Sequence, residues 1–256
     1  FRLLAKPIRD IIRARGYTRP TVIQELMIPR ILNGESILGI APTASGKTEG
    51  AVLPALTRIY EEDRREMGFS ILYVTPLRSL NRDVLGRLVE YCDAVGLGID
   101  VRHGDTSTYT RRRQALSPPG MLVTTPETLQ IILGGRRIRS HLSGVRCVII
   151  DEAHELIGSK RGVQLAAGLS RLRALAGDFQ IVALSATIGN PKYVARFYGY
   201  PGELRIVRAD EERPIDIDVI YVDSDDGSYG GDELRLELIC REVAKADSSL
   251  IFVNTR

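Results

Sequence analysis

The 256-residue sequence has no tryptophan, only three cysteines and no long apolar run. Cys92, Cys147 and Cys240 are far apart and form no CxxC pair, which argues against both a disulfide framework and a zinc cluster. Apolar runs such as residues 147–150 are far too short to cross a bilayer, and the first residues lack the apolar core of a signal peptide. These absences predict a soluble protein of a reducing cytoplasm with no membrane partner.

A large excess of charge of one sign is also missing. The chain carries 35 basic and 32 acidic side chains, which gives a formal net charge of +3. So small an excess does not by itself indicate a nucleic-acid partner. Two basic runs, residues 111–113 and 136–141, either solvate the surface or extend a binding track, and we prefer the solvated surface. The charged fraction of 26% and the apolar fraction of 44% are close to the average of globular proteins, so they suggest neither a disordered nor a membrane-embedded chain.

Short apolar runs alternate with segments of helical spacing, which is typical of a parallel sheet with crossover helices. The runs expected to form strands are residues 37–40, 71–74, 99–102, 121–124, 145–150 and 180–184. The segments with the apolar spacing of helices are residues 48–63, 78–95, 162–175 and 191–198. This alternation predicts an α/β fold with a mostly parallel, doubly wound sheet and flanking helices.

The character of the sequence changes after residue 203. Residues 204–231 are first extended and charge-rich and then polar and glycine-containing, so we expect a linker with extended strands there. A helix over residues 232–246 leads into the apolar SSLIFVNTR, which has the composition of a buried strand. Because a strand needs neighbours, residues 232–256 are expected to begin a truncated second domain, and residues 1–203 to form the first.

The stretch APTASGKT, residues 41–48, lies between a predicted strand and a predicted helix, which is the context of a phosphate loop. Backbone N–H groups of such a loop point at the β-phosphate, its lysine reaches the β- and γ-phosphates, and its final hydroxyl binds magnesium. The residues expected to do this are Thr43, Ala44, Ser45, Gly46, Lys47 and Thr48. Ala41 replaces the usual first glycine, a small change because that position only supplies a turn. A plain strand-to-helix turn is the disfavoured alternative.

The stretch VRCVIIDEAHEL, residues 145–156, brings two acids to the end of a predicted strand. In open α/β sheets this carboxyl edge is where ligands bind. Asp151 is therefore a candidate magnesium ligand, and Glu152 is a candidate base for the water that attacks the γ-phosphate. Without the phosphate loop, the same acids could simply suit the dipole of a helix N-terminus.

In this order, APTASGKT and DEAH resemble the motifs of superfamily 2 helicases. Further segments resemble the family's other motifs: GYTRPTVIQ (16–24) the adenine-reading Q motif, TPLRSL (75–80) motif Ia, TTPETL (124–129) motif Ib, SAT (185–187) motif III, and IFVNTR (251–256) motif IV. HGDTS (103–107), TTPETL, DEAHEL and SKRG (159–162) are more similar to the large helicase-related (Lhr) proteins than to DEAD-box proteins. The resemblance spans the whole chain and implies a RecA-like P-loop NTPase fold.

The resemblance also implies roles for single residues. Gln24 would present its amide to the base, with Tyr17 as a stacking surface, and His154 would couple the acidic motif to motif III. The coupling residues of motif III would be Ser185, Ala186 and Thr187, and the positions expected to line a single-stranded track are Thr75, Pro76, Arg78, His103, Gly104, Thr125 and Glu127. Each Thr-Pro pair could instead be a strand end and a helix start. His154 could cap its turn, and His103 could be a neutral polar residue.

The resemblance finally implies an ATP-dependent motor that uses ATP and Mg²⁺ and follows single-stranded DNA or RNA. It implies 3′ to 5′ translocation and unwinding of DNA or RNA–DNA duplexes in repair, by a cytoplasmic, nucleoid-associated monomer. An RNA helicase or RNA–protein remodeller remains an alternative, as does a nucleotide-gated switch that binds nucleic acid without unwinding. The motif VI arginines of such helicases would follow residue 256, so we expect this chain alone to be nearly inactive.

Overall fold

The computed structural model describes residues 1–62, 68–76, 82–186, 188–209, 218–220 and 230–252. It divides into two compact units, Phe1–Glu211 and Glu212–Arg256. Among the described residues, no helix combines the length and the apolar character that crossing a bilayer requires.

The first unit is built on a seven-stranded sheet in which every neighbouring pair of strands is parallel. The strands are β1 (Ile37–Ile40), β2 (Ile71–Val74), β3 (Ile99–Arg102), β4 (Met121–Thr124), β5 (Cys147–Ile150), β6 (Gln180–Ser185) and β7 (Arg205–Arg208). Their order across the sheet is β3-β4-β2-β5-β6-β1-β7. The predicted α/β class and all six predicted strands are confirmed, with ends that differ by at most two residues.

Helices cover both faces of this sheet. The helices of the first unit are α1 (Lys6–Ala14), α2 (Val22–Leu32), α3 (Lys47–Glu61), α4 (Arg82–Ala94), α5 (Thr108–Leu116), α6 (Pro126–Gly134), α7 (Ala153–Leu156), α8 (Lys160–Ala176) and α9 (Pro191–Gly199), with a 3₁₀ helix over Ile138–Gly144. Alternate residues of each strand enter two separate cores, as Ile37 and Leu38 show. Helices α1 to α4 close the first core, and α6, α8 and α9 close the second. The predicted doubly wound architecture is confirmed.

Strand β7 is the element that the sequence analysis did not separate from the linker. It pairs with β1 in the register Ile37↔Arg205, at the edge of the sheet. Its arginines Arg205 and Arg208 are exposed while Val207 is buried, so only a short apolar core marks the strand in the sequence. The first unit therefore continues past the predicted boundary at residue 203.

The described part of the second unit contains one helix, α10 (Gly230–Lys245), close to the predicted helix over residues 232–246. Residues 249–252 follow without strand pairing in the described part of the chain, and Leu250 and Phe252 are 80% and 86% exposed. The buried strand predicted there is not seen in these four residues, which have no strand conformation and are exposed. The rest of that prediction, residues 253–256, lies outside the described residues.

Candidate nucleotide and nucleic-acid site

The carboxyl ends of the parallel strands bring the predicted motifs to one edge of the sheet. The phosphate loop follows β1, the acidic turn follows β5, and Thr75 follows β2. They enclose a cleft of about 480 Å³. The predicted site residues that line it are Tyr17, Gln24, Thr43, Ala44, Gly46, Lys47, Thr48, Thr75, Asp151 and Glu152. Of the described residues predicted to bind nucleotide, Ser45 and His154 are not in this lining.

The phosphate loop has the backbone shape that an anion site needs. Ala44 and Gly46 have positive φ angles of 57° and 86°, and α3 begins directly after Gly46. Left-handed residues within a turn direct successive N–H groups into one concavity, and the helix N-terminus adds its positive end. A side chain at Gly46 would also meet Gln24, whose Nε2 would lie 2.3 Å from the added Cβ. Both conformation and space therefore require glycine at this position.

Lys47 is buried at the start of α3, with 7% of its surface exposed. Its Nζ donates hydrogen bonds to the carbonyl oxygens of Ala41 at 2.7 Å and Pro42 at 2.6 Å. Burial lowers the pKa of Lys47, while Glu152 and Asp151 oppose that shift. The ammonium is thus held inside the loop, facing the two acids across the cleft.

Side chains of the segment that resembles the Q motif donate hydrogen bonds to main-chain carbonyl groups of the phosphate loop. Gln24 is buried, accepts a hydrogen bond from the Thr21 N–H at 3.1 Å and donates to the Gly46 carbonyl at 3.0 Å. The Thr21 hydroxyl donates to the Ser45 carbonyl at 2.8 Å. The Gln24 amide keeps one N–H and one lone pair for a ligand. Its contact with adenine therefore stays a prediction, as does stacking by the partly exposed Tyr17.

Asp151 is fixed by two hydrogen bonds at the end of β5. Its Oδ1 accepts from the Glu152 N–H at 3.0 Å, and its Oδ2 accepts from the Tyr73 hydroxyl. The Thr48 side chain lies near the same phenol and opposes the rise in the Tyr73 pKa that burial causes. Burial raises the pKa of Asp151, and the bond from Tyr73 opposes the rise. One carboxylate and one hydroxyl that converge in this way suit Mg²⁺, which takes few protein ligands and completes its shell with phosphates and water.

Glu152 lies beside Asp151 in a left-handed backbone conformation, with φ at 45°. Such a conformation is strained for a non-glycine residue and is often found at functional sites. Burial, and then the charge of Asp151, raise the pKa of the Glu152 carboxyl. The His154 Nδ1 lies 3.5 Å from Glu152 Oε2 and 3.1 Å from the Ser185 hydroxyl. His154 thus connects the acidic turn to the end of β6. Ala186 follows on the chain, and Thr187 lies outside the described residues.

We call residues 75–76, 103–104 and 125–127 the track segments. They follow β2, β3 and β4, which are adjacent in the order β3-β4-β2. The three segments therefore form a row beside the cleft, with one step of about 4.8 Å per strand. Thr75 is buried and also lines the nucleotide cleft. Arg78 lies outside the described residues.

Arg161, the third residue of SKRG, joins two of the track segments. It forms an ion pair with Glu127, with a second contact from its Nη2 to Glu127 Oε2 at 3.3 Å. The same Nη2 donates to the Pro76 carbonyl at 2.7 Å. This ion pair lowers the pKa of Glu127. Thr125 is buried and caps α6 by accepting from the Thr128 N–H at 3.4 Å. Glu127 and Thr125 are therefore engaged within the protein.

The third track segment is held by an arginine in a similar way. Arg111 donates to the carbonyl oxygens of Gly104 and His103, so one residue of the basic run 111–113 supports this loop. The His103 Nδ1 accepts from the Asp105 N–H at 3.2 Å, and Gly104 is exposed. The run 136–141, which follows α6, belongs to the opposite end of the sheet.

A phosphate-loop fold, a half-buried pair of acids and a row of strand-end segments define a nucleotide-binding domain of the helicase class. The DEAD/DEAH box helicase family matches residues 21–194, and the chain belongs to this family. The chain is 37% identical to the ATP-dependent helicase Lhr-Core of Methanothermobacter thermautotrophicus, over 92% of its own length and 30% of that protein. It is 30% identical to the ATP-dependent DNA helicase Hel308 of Pyrococcus abyssi, over 99% of its length and 34% of that protein.

The fold is similar to that of the Mycobacterium smegmatis helicase Lhr bound to ssDNA and AMP-PNP. The TM-score is 0.83 at 32% identity, covering 99% of this chain and 34% of that one. The RecA-like fold and the resemblance to superfamily 2 helicases of the Lhr type are thereby confirmed. The chain spans about a third of the length of these relatives, at 30% and 34%.

Proposed function

We propose that this chain is the ATP-binding motor domain of an ATP-dependent helicase. The observation that supports this most directly is the convergence of phosphate loop, acidic turn and track segments on one sheet edge. A nucleotide-binding domain alone would not need a row of segments beside its cleft. In this proposal residues 1–203, extended by β7, form the first RecA-like domain, and residues 232–256 begin a second.

The proposed chemistry uses the cleft residues in separate roles. The loop N–H groups and Lys47 hold the triphosphate, with Lys47 exchanging its two carbonyl partners for phosphate oxygens. Thr48 and Asp151 would hold Mg²⁺, which when bound neutralises charge on the β- and γ-phosphates. Glu152 orients the attacking water and accepts its proton, a role that suits a carboxyl with a raised pKa.

The substrate proposed for the whole protein is single-stranded DNA, reached by unwinding DNA or RNA–DNA duplexes in the 3′ to 5′ direction during repair. The names of the relatives support DNA, since one is a DNA helicase and one was solved with ssDNA. We further propose that the protein works as a monomer at the nucleoid, because the described chain itself supplies both the nucleotide cleft and the track segments.

The decisive experiment uses a protein of the relatives' length that contains this domain. Hydrolysis of ATP is measured without nucleic acid, with single-stranded DNA and with matched RNA, alongside strand displacement. We expect stimulation by DNA and displacement that both disappear in Glu152→Gln. Stimulation by RNA instead would replace the DNA proposal with an RNA motor. Stimulated hydrolysis without displacement would indicate a nucleotide-gated switch, and hydrolysis indifferent to both strands would refute the motor.

A further inference from the structure

Tyr73 is a buried phenol in the middle of the sheet that none of the recognised motifs includes. It is the third residue of β2 and has 0% exposure, among aliphatic neighbours in ILYV. A buried phenol is stable only when its hydroxyl finds a partner. The Tyr73 hydroxyl finds Asp151 Oδ2, on a residue 78 positions away in the sequence.

The Thr48 side chain opposes the rise in the Tyr73 pKa that burial causes, so the second candidate magnesium ligand lies near the same hydroxyl. The phenol donates its one proton to Asp151 Oδ2. The Asp151 carboxylate is therefore held by a group that does not itself reach the nucleotide cleft.

The position of Tyr73 is set by the sheet rather than by a loop. Strand β2 lies between β4 and β5, and Tyr73 is in register with Ile149 of β5, two residues before Asp151. The Asp151 N–H also donates to the Val74 carbonyl at 2.8 Å, so β2 fixes both the backbone and the carboxylate of Asp151. The phenol has little freedom to move independently of the strand.

We propose that Tyr73 is a positioning residue for the magnesium site, holding the Asp151 carboxylate in the arrangement that the metal-bound nucleotide requires. The inference rests on the proposed function, because it concerns the same nucleotide cleft. Groups that orient metal ligands from behind are typically worth 10- to 100-fold in metal affinity or activity. We expect an effect near the lower end, since Asp151 keeps its bond from the Glu152 N–H.

The test compares Tyr73→Phe with Tyr198→Phe in the 256-residue chain. Tyr198 is also buried, and its hydroxyl has no hydrogen-bond partner among the described residues, so its loss removes the same atom from a different core. The affinity for a fluorescent, non-hydrolysable ATP analogue is measured in Mg²⁺ and in EDTA. The readout is the ratio of the two affinities, which a purely structural change would leave unaltered.

We expect Tyr73→Phe to reduce this ratio by about 10-fold, with binding in EDTA unchanged, and Tyr198→Phe to leave the ratio as it is. An unchanged ratio in Tyr73→Phe would overturn the positioning role. Failure of the parent chain to bind the analogue at all would instead overturn the proposed nucleotide site.

A second measurement does not depend on how the variant folds. In the parent chain with ¹³C-labelled tyrosine and assigned signals, Mn²⁺ bound with the nucleotide should broaden the signal of Tyr73 more than that of Tyr198, which is equally buried but belongs to the other core. Broadening confined to solvent-accessible tyrosines such as Tyr17 would place Tyr73 away from the metal and reject the proposal.

Discussion

The nucleotide cleft and the track segments lie on the same sheet edge, but their polar groups are held in different ways. In the cleft, Lys47, Gln24 and Asp151 are fixed largely by main-chain groups and by one buried phenol. In the track segments, the backbone carbonyl groups accept hydrogen bonds from the side chains of Arg161 and Arg111, which are partly exposed. The polar groups of the cleft are thus positioned mainly by the main chain, whereas the geometry of the track segments depends on side-chain ion pairs and hydrogen bonds. The geometry of the track segments is therefore the more sensitive of the two to substitution of a single side chain.

The largest effect is expected in the cleft, from Lys47→Ala. The change removes a charged donor from the phosphate site, and hydrogen bonds to charged groups are worth enough to weaken the binding of an ATP analogue by about 100-fold. Isothermal titration with the 256-residue chain measures this, with the exposed Lys192→Ala as the control. Equal loss in both variants, or loss in neither, would contradict the assigned role of Lys47.

The next effect concerns Gly162, the residue after Arg161 in α8, which packs against the end of α7. A Cβ at Gly162 would lie 2.2 Å from the Leu156 carbonyl oxygen, a backbone atom that cannot swing aside. Gly162→Ala should therefore lower the free energy of unfolding by roughly 1–3 kcal/mol. The control is Gly86→Ala in α4, where nothing lies within 4 Å and alanine should stabilise the helix. Denaturant unfolding of both variants checks that their free energies of unfolding change in opposite directions. An unchanged free energy of unfolding in Gly162→Ala would show that α8 packs loosely against Leu156.

A smaller effect is expected in the track segments, from Arg161→Ala. The variant loses the ion pair with Glu127 and the hydrogen bond to the Pro76 carbonyl. The Glu127 carboxylate then lies beside the proposed single-stranded DNA without its arginine partner. Residues that position a site without contacting the ligand change affinities by up to about 10-fold, and we expect that loss for single-stranded DNA in a protein of the relatives' length. Nucleotide binding should be unchanged. Arg171→Ala on the same helix is the control, because the Arg171 side chain donates to Gln130 Oε1 and has no hydrogen bond to a track segment among the described residues; an equal effect there would refute the role of Arg161.

The smallest effect is expected between the regions, from Ser185→Ala. The loss of the 3.1 Å contact between Ser185 and His154 removes one neutral hydrogen bond. Stimulation of ATP hydrolysis by a nucleic-acid strand should fall about 3-fold, while the affinities for nucleotide and strand remain. Ser170→Ala is the matched control, because the Ser170 hydroxyl donates to the Ala166 carbonyl of its own helix. Unchanged stimulation in Ser185→Ala would instead mean that His154 merely caps its turn.

The sequence predicted the strands and the motifs because both depend on residues close together in the chain. Apolar runs such as ILGI and CVII fix buried strands, and APTASGKT carries its own turn and helix start. The sequence analysis did not separate the edge strand β7 from the linker, because Arg205 and Arg208 flank an apolar run of only two residues. A single sequence offers no equivalent signal for an edge strand with exposed arginines.

The contacts that organise the site were not predictable in the same way. Tyr73 meets Asp151 across 78 residues, and Arg161 meets Pro76 across 85 residues. A polar phenol within the aliphatic run ILYV was the one visible sign of the first contact. Arg161 lies in the segment SKRG, but the sequence does not show that α8 packs beside the track segments, which supply the partners of this arginine. The internal hydrogen bonds of Gln24 were likewise invisible in the spacing of its motif.

The order of the strands also determines how much room the reaction has. The strand before the phosphate loop, β1, and the strand before the acidic turn, β5, are not neighbours, because β6 lies between them. The axes of β1 and β5 are thus two strand spacings apart, about 10 Å, whereas the axes of direct neighbours would be about 5 Å apart. A γ-phosphate and a water molecule fit side by side in the wider gap but not in the narrower one. The order of the strands in the sheet therefore sets the space for hydrolysis, independently of which side chains line the cleft.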